Sequence, residues 1–171
     1  GRRRPGDLEL TVAAFVSDEP GLRGVVARYR VFNHGATPRN VDLDLAIRPF
    51  QVNPPSQTLN RPGGAAPIRT LAQSGGVVFL DGVPAAIALT PGGRFGAVNF
   101  HGGDVVADHL RHGRLPAARS ATCDFGGASG ALSWPFELAP GDSAEVVVLV
   151  DPDPDAPPPP PLSAAEAASF A

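Results

Sequence analysis

The chain has 171 residues, 43% of them hydrophobic and 18% charged, and this composition is typical of one globular domain rather than of a disordered segment. A formal net charge of −3 argues against nucleic acid and against a membrane as the main partner, because both select strongly basic surfaces. The single cysteine excludes an internal disulfide, and no apolar run approaches the roughly 18 residues that a transmembrane helix needs.

The first third of the chain is predicted to be β-structure. The first six residues are expected to be an unstructured start or the remnant of a tag, and strands are predicted over residues 8–16 and 24–33. In the second strand alternate residues from Val25 to Val31 are apolar, as a half-buried strand requires. The Asn-His-Gly sequence that follows predicts a turn, because asparagine and glycine tolerate a positive φ.

The clearest period-two pattern is VDLDLAIRPF, residues 41–50, where alternate positions from Val41 to Ile47 are apolar. Pro49 has no N–H to donate to a sheet ladder. The third strand is therefore predicted to end at this proline or to lie at a sheet edge.

Residues 51–67 form a long segment without periodicity, and long loops of this kind are often functional. Its amide and guanidinium groups suit hydrogen bonding to sugar hydroxyls, and its prolines reduce the entropy lost on binding. A solvated loop is the alternative interpretation. The lone tryptophan offers a face on which a sugar could stack, although a tryptophan before a proline in a strand is also typical of a core. The candidate carbohydrate contacts are Arg48, Gln51, Asn53, Gln57, Asn60, Arg61 and Trp134.

The remaining predicted elements are short, because glycine and proline number 20 each and interrupt the chain often. The turn signals among them are Asp81-Gly82 and Pro140-Gly141-Asp142. The elements are strands near residues 76–80, 85–89 and 95–100, a short helix over 104–112 that ends at Gly113, and a final hairpin formed by 128–138 and 144–150.

The predicted helix carries the only cluster that resembles a metal site. Asp108 and His112 are four residues apart and could share an ion such as zinc. The spacing of an established zinc motif is absent, and a polar helix face exposed to water is the simpler interpretation. No metal or other cofactor is predicted.

The C-terminal part has a different composition. Residues 151–162 are predicted to be a proline-rich polyproline spacer. Ser163 and Glu166 have the spacing of a helix capping box, so residues 163–171 are predicted to be the first turns of a truncated helix. A helix this short is unstable alone, and the natural protein is expected to continue as a helical domain.

Two segments carry a family resemblance. Residues 29–64, YRVFNHGATPRNVDLDLAIRPFQVNPPSQTLNRPGG, and residues 128–150, ASGALSWPFELAPGDSAEVVVLV, are similar to parts of large bacterial six-hairpin-glycosidase-like proteins. Several of those proteins are labelled coagulation factor 5/8 type, meaning discoidin-domain-containing. The resemblance implies that residues 7–150 are an N-terminal β-supersandwich, followed by a linker and an (α/α)6 toroid. The expected fold class is therefore all-β, an antiparallel supersandwich-like β-sandwich with one short helix, a spacer and a truncated helix.

The resemblance also implies that the catalytic residues belong to a different domain. In such proteins the catalytic carboxylates belong to the toroid, which this chain lacks, and no residue here matches one of them. The leading hypothesis is a non-catalytic accessory domain of a glycoside hydrolase or phosphorylase, with the 51–67 loop lent to the substrate cleft. The expected partners are carbohydrate and a following (α/α)6 domain. A parent that acts on polysaccharide would be secreted or attached to the cell envelope, although no residue decides the compartment.

Two other functions remain open. The first is a free-standing carbohydrate-binding module. The second is a mutarotase-like sugar epimerase, since supersandwich folds also host that reaction. The epimerase needs a histidine and a glutamate that converge in one pocket, and the pair to inspect is His101 and Glu137.

Overall fold

The structure is a computed structural model, and it describes residues 1–3, 6–51, 65–153 and 159. Antiparallel strands dominate these residues, and one short helical segment interrupts them. The predicted all-β antiparallel sandwich with one short helix is confirmed. The predicted truncated helix at 163–171 and all of the spacer except residues 151–153 and 159 lie outside the described residues.

Thirteen strands occur in the described ranges. They are β1 (Arg2–Arg3), β2 (Leu8–Ser17), β3 (Gly24–Asn33), β4 (Arg39–Ile47), β5 (Phe50–Gln51), β6 (Ala65–Ala66), β7 (Thr70–Ser74), β8 (Val77–Leu80), β9 (Val83–Ala88), β10 (Arg94–Val98), β11 (Ser120–Thr122), β12 (Ser129–Leu138) and β13 (Ser143–Val150). The helical segment consists of a 3₁₀ turn at Phe100–Gly102, a π-helical turn at Val105–His109 and a second 3₁₀ turn at Leu110–His112. None of these turns has the length and hydrophobicity needed to cross a bilayer.

The strands form two main layers. A large sheet has the order β1-β2-β3-β13-β9-β8-β7-β11, and a small sheet has the order β10-β12-β4. Strands β5 and β6 form a separate pair. The small sheet packs on one face of the large sheet, and the main core between them contains Leu71, Leu132, Trp134, Val146 and Val148.

Strand β13 explains why the large sheet is apolar on both faces. Val146 and Val148 belong to the main core, whereas Val147 and Leu149 belong to a second cluster on the opposite face. Successive side chains of a strand point to opposite faces, so a continuous apolar run is buried on both sides.

Period-two patterns located the early strands well. Strand β3 has the predicted limits, and β4 ends at Ile47, two residues before Pro49, at an edge of the small sheet. The Asp81-Gly82 turn has φ values of 49° and 82°, both left-handed, and joins β8 to β9. The helix predicted for 104–112 is a π-helical turn followed by a 3₁₀ turn, and it ends at Gly113 with a φ of 65°.

The predicted final hairpin is wrong in its pairing. Strand β12 pairs with β10 and β4, whereas β13 pairs with β3 and β9 in the other sheet. The Pro-Gly-Asp turn does form, with Gly141 at a φ of 83° and the Asp142 N–H donating to the Ala139 carbonyl at 3.0 Å. This turn carries the chain from one layer to the other instead of folding it back within a sheet.

Asn33 does not adopt the positive φ that its turn prediction assumed. Its side chain is fully buried, and the amide nitrogen lies within 2.9 to 3.2 Å of the carbonyl oxygens of Thr37, Leu138 and Ala139. Its Oδ1 accepts a hydrogen bond from the Gly35 N–H at 2.9 Å. Asn33 therefore ties the β3–β4 connection to the β12–β13 connection, and we call this region the Asn33 corner.

The start of the chain is more ordered than predicted. Arg2 and Arg3 form β1, which pairs with β2, and the Arg2 guanidinium contacts the Glu9 carboxylate at 2.5 Å. Residues 4 and 5 of the predicted unstructured start lie outside the described residues.

Candidate functional site

A concave feature lined by described residues lies at one end of the small sheet, where β4 and β10 end and β12 begins. Its cavity volume is about 570 Å³. This size is within the range of small-molecule sites, and we call it the cleft. The cleft is lined by Arg48, Pro49, Phe100, Gly103, Asp104, Asp108, Phe125, Gly126, Gly127 and Ser129.

Two phenylalanine rings stand in the cleft, and each is 61% exposed. Phe100 and Phe125 make an edge-to-face contact with ring centroids 5.1 Å apart and planes at 76°. The His101 ring lies edge-on to both of them, at 5.9 and 6.1 Å. Large apolar rings are usually covered in a folded domain, so an exposed pair beside polar groups marks a candidate binding surface.

Local backbone structure explains why these rings are exposed. Phe100 opens the 3₁₀ turn that follows β10, and the Asn99 side chain caps this turn by accepting from the Gly102 N–H at 3.0 Å. Phe125 precedes Gly126, which has a φ of 83° and donates its N–H to the Cys123 carbonyl at 2.9 Å. Both rings therefore sit on tight turns and not on a strand, whose alternation would turn one face inward.

Charged side chains line the same cleft. The Arg48 guanidinium contacts the Asp104 carboxylate at 3.5 Å, and both side chains are partly exposed. The other Asp104 oxygen accepts hydrogen bonds from the N–H groups of Ala107 at 2.8 Å and Val106 at 2.9 Å. The hydrogen bond from the Ala107 N–H is the main cause that holds the pKa of Asp104 below its ordinary value. The Val106 N–H and the charge of Arg48 lower it further.

The second carboxylate of the cleft is positioned by a glycine. Asp108 accepts a hydrogen bond from the Asp104 N–H at 2.8 Å. Gly103 has a φ of 97°, and a Cβ at this position would lie 2.7 Å from an Asp108 carboxylate oxygen. Only glycine fits there without displacing this carboxylate.

The residues predicted to contact carbohydrate lie in different parts of the structure. Arg48 lies in the cleft, at the root of the 51–67 loop as expected. Gln51 lies in β5, paired with Ala65, so the β5–β6 pair holds the two ends of that loop together. The other four loop candidates lie outside the described residues, namely Asn53, Gln57, Asn60 and Arg61.

Trp134 is a core residue that is only 2% exposed. Its indole N–H donates to the Thr90 carbonyl at 3.3 Å, and a Cβ at Gly93 would lie 2.7 Å from the indole ring. The ring is covered by the β9–β10 turn and offers no open face on which a sugar could stack.

The metal candidates do not form a ligand set among the described side chains. Asp108 lies in the cleft, and His112 lies in the 3₁₀ turn after it. The nearby His109 ring nitrogen contacts the Gly102 carbonyl at 3.1 Å. Within the described ranges no group of three or more His, Cys, Asp or Glu side chains is placed to hold a metal ion.

The pair considered for sugar epimerisation is far apart. His101 follows β10 beside the start of β12, and it lines a small depression with Asn99 and Cys123. Glu137 lies near the far end of β12, in a depression with Asn40. At about 3.3 Å per residue the eight steps along β12 from Ser129 to Glu137 span about 26 Å. His101 and Glu137 therefore do not share a cleft.

The sequence analysis missed Phe100 and Phe125. A usable signal exists in Phe-His-Gly-Gly and Phe-Gly-Gly, where a large apolar residue lies next to paired glycines. Such a residue sits in a turn, where no strand face buries it. An aromatic residue in a predicted turn is therefore a better candidate for an exposed platform than a lone tryptophan in a predicted strand.

No protein-family model matches the chain, and a search of curated proteins finds no matching relative. Any function has to be argued from the cleft itself.

Proposed function

We propose that this chain is a non-catalytic accessory β-sandwich domain that contributes carbohydrate contacts to a larger protein of glycoside-hydrolase type. One observation carries the proposal. The cleft combines an exposed aromatic pair, Phe100 and Phe125, with Arg48 at the root of the 51–67 loop.

The chemistry of the cleft suits a sugar. The C–H face of a pyranose ring packs well on an aromatic face, while its hydroxyls donate to carboxylates and accept from a guanidinium. Asp108 is exposed and supplies acceptor oxygens, and Arg48 supplies donors. Each kind of group that a hydroxyl-rich ring requires is therefore supplied by the cleft.

The position at which the loop begins supports the accessory role. Strand β4 ends at Ile47, and the chain passes through Arg48 and Pro49 at the cleft before it enters β5. A loop that starts here is anchored beside any ligand in the cleft. The proposal places the catalytic carboxylates in a following helical domain, as the resemblance to six-hairpin glycosidases implies.

Glycan binding by this chain is the test. Affinity electrophoresis against immobilised soluble polysaccharides, followed by calorimetry with matching oligosaccharides, is expected to show weak binding with a Kd on the order of 1 mM. Phe125→Ala is expected to reduce the affinity by about tenfold, because it removes one of the two exposed rings. Phe15→Ala is the matched control, since Phe15 is an exposed ring on β2, outside the cleft. Absence of binding to every glycan tested would remove the proposal.

A free-standing carbohydrate-binding module is the second candidate. It is favoured by the fact that Phe100, Phe125, Arg48 and both aspartates of the cleft all belong to this chain. The two candidates differ in how affinity depends on the neighbouring domain. A module binds as tightly alone as in the longer protein, whereas an accessory domain gains about tenfold or more when the helical domain completes the cleft.

A further inference from the structure

We infer that the cleft selects a soluble glycan without charged groups and rejects glycans that carry carboxylates or sulfates. This inference rests on the proposed function, because it specifies which carbohydrates the cleft binds. It is carried by the balance of charges around the cleft and by the angle between the two aromatic rings.

The lining of the cleft carries one more negative than positive charge. Among the described residues that line it, Arg48 is the one cation, and Asp104 and Asp108 are the two anions. Arg48 is already engaged with Asp104 at 3.5 Å. Just outside the lining, the Arg114 guanidinium contacts the Asp108 carbonyl at 3.0 Å, and Asp124 precedes Phe125. These two opposite charges cancel and leave the balance unchanged.

An anionic sugar therefore meets an unfavourable site. Its carboxylate or sulfate would approach two aspartates, and it would compete with Asp104 for the guanidinium of Arg48. Like charges brought together in a partly desolvated site reduce affinity for the wrong ligand. An uncharged sugar has no such cost, because its hydroxyls can donate to the same carboxylates.

The angle between the two aromatic rings does not suit the flat surface of a crystalline polysaccharide. The planes of Phe100 and Phe125 meet at 76°, so the two rings form a corner and not a continuous platform. A crystalline polysaccharide surface would need coplanar rings to contact both at once. A corner of this kind accepts one ring of a soluble chain, with its face on one phenyl group and its edge against the other.

Matched pairs of soluble polymers test the inference. The probes are hydroxyethyl cellulose against carboxymethyl cellulose and dextran against dextran sulfate, with laminarin, xylan and galactomannan as further uncharged chains. Affinity electrophoresis at low salt is expected to show retardation by at least one uncharged polymer and none by the anionic partners. Phe100→Ala and Phe125→Ala should each weaken binding by about tenfold, whereas Phe15→Ala should leave it unchanged.

A charge variant separates selection by charge from selection by shape. Asp108→Asn keeps an acceptor oxygen but removes one negative charge, so it should raise affinity for the anionic polymers by about three- to tenfold. Its affinity for the uncharged polymer should not rise, because an amide oxygen is a weaker acceptor than a carboxylate, so a higher ratio of anionic to uncharged affinity marks selection by charge. Near-ultraviolet circular dichroism checks that each variant retains its fold.

The outcomes distinguish this inference from the proposed function. Stronger binding of the anionic member of a pair overturns the inference and leaves a carbohydrate-binding domain in place. Equal binding of both members also overturns it. No binding of any polymer overturns the inference and the proposed function together.

Discussion

The two ends of the small sheet differ in how far the side chains of their connections are buried. At the Asn33 corner the β3–β4 and β12–β13 connections meet around an asparagine that is fully buried and contacts three backbone carbonyls. At the cleft, by contrast, two phenylalanines on glycine-containing turns remain 61% exposed. The asparagine at the corner is buried and hydrogen-bonded within the protein, whereas Asp108 at the cleft is exposed to solvent.

Charges show the same difference. Near the corner Glu9 contacts both Arg2 and His34, and Arg39 contacts Asp7 at 3.2 Å. The Arg2 hydrogen bond is the main cause that holds the pKa of Glu9 below its ordinary value. At the cleft one aspartate of the lining has no cation of the lining beside it. The charged groups at the corner are thus paired with one another, whereas the cleft leaves the charge of Asp108 without a cation of its lining.

Truncation of an aromatic side chain should show the largest contrast. Trp134→Ala removes a ring that is 2% exposed, and it is expected to lower the free energy of unfolding by about 4 kcal/mol, since a cavity remains in the core. Phe125→Ala removes a ring that is 61% exposed, and it should cost less than about 1 kcal/mol. Urea denaturation followed by fluorescence or circular dichroism measures both. Similar losses for the two variants would contradict the assignment of Phe125 to an open site.

Removal of the corner amide should have the next largest effect. Asn33→Ala leaves buried backbone carbonyls without their donor, and it is expected to cost about 3 kcal/mol in urea denaturation. Asn40→Ala is the matched control, because Asn40 is an exposed asparagine at the start of β4, and it should cost less than about 0.5 kcal/mol. A loss below about 1 kcal/mol for Asn33→Ala would mean that the corner is held by other contacts.

Beside the cleft, substitution of a glycine with an unusual backbone conformation should lower the free energy of unfolding more than truncation of an exposed side chain. Gly103→Ala is expected to cost about 2 kcal/mol, because Gly103 has a φ of 97° and a ψ of 173° and its new Cβ would press on Asp108. Gly113→Ala is the matched change at a φ of 65° with no atom within 4 Å, and it should cost only about 1 kcal/mol. Thermal and urea unfolding measure both losses. If Gly103→Ala and Gly113→Ala lowered the free energy of unfolding equally, the contact of the new Cβ with Asp108 would add no further cost.

The sequence predicted the positions of individual strands better than it predicted which strands pair with each other. Strands β3 and β4 have strong period-two patterns. The limits of β3 are those predicted from its residues, whereas β4 (Arg39–Ile47) begins two residues earlier and ends three residues earlier than predicted. The partners of β12 and β13 do not follow in this way, because a Pro-Gly-Asp turn reverses the chain equally well within a sheet and between layers. Strands β7 and β11 were not predicted at all. They are five and three residues long, and their pairing is set by tertiary contacts.

The candidate site was predicted only in part for a related reason. Arg48 was found because it lies at the root of a long irregular segment, which is a feature of the sequence itself. Phe100 and Phe125 are 25 positions apart, and although each lies close to paired glycines, nothing in the sequence indicates that the two segments meet. Their proximity depends on the antiparallel pairing of β10 with β12, in which Val98 lies opposite Ser129. Such pairings are properties of the fold and cannot be read from either segment alone.

The smallest expected effect concerns the charge of Asp104. Its folded pKa is lower than the ordinary value of 3.8, chiefly through the hydrogen bond from the Ala107 N–H, so the charged form stabilises the folded state. This contribution is fully present above the unfolded pKa and is lost as the pH falls through the lower folded pKa. Because the Asp104 side chain is 40% exposed, solvent screens the effect, and about 0.5 kcal/mol is expected.

Two variants of Asp104 separate its charge from its role as a cap of the helical segment. Asp104→Asn keeps an acceptor for the N–H groups of Val106 and Ala107, so its deficit in unfolding free energy should be fully present at pH 6 and smaller at pH 3. Asp104→Ala removes the acceptor as well, so part of its deficit, about 1 kcal/mol, should persist at both pH values. Urea denaturation of the wild type and both variants at the two pH values gives these differences. If the Asn deficit grew at low pH, the charge of Asp104 would be destabilising, and the cleft would hold this carboxylate at the expense of the fold.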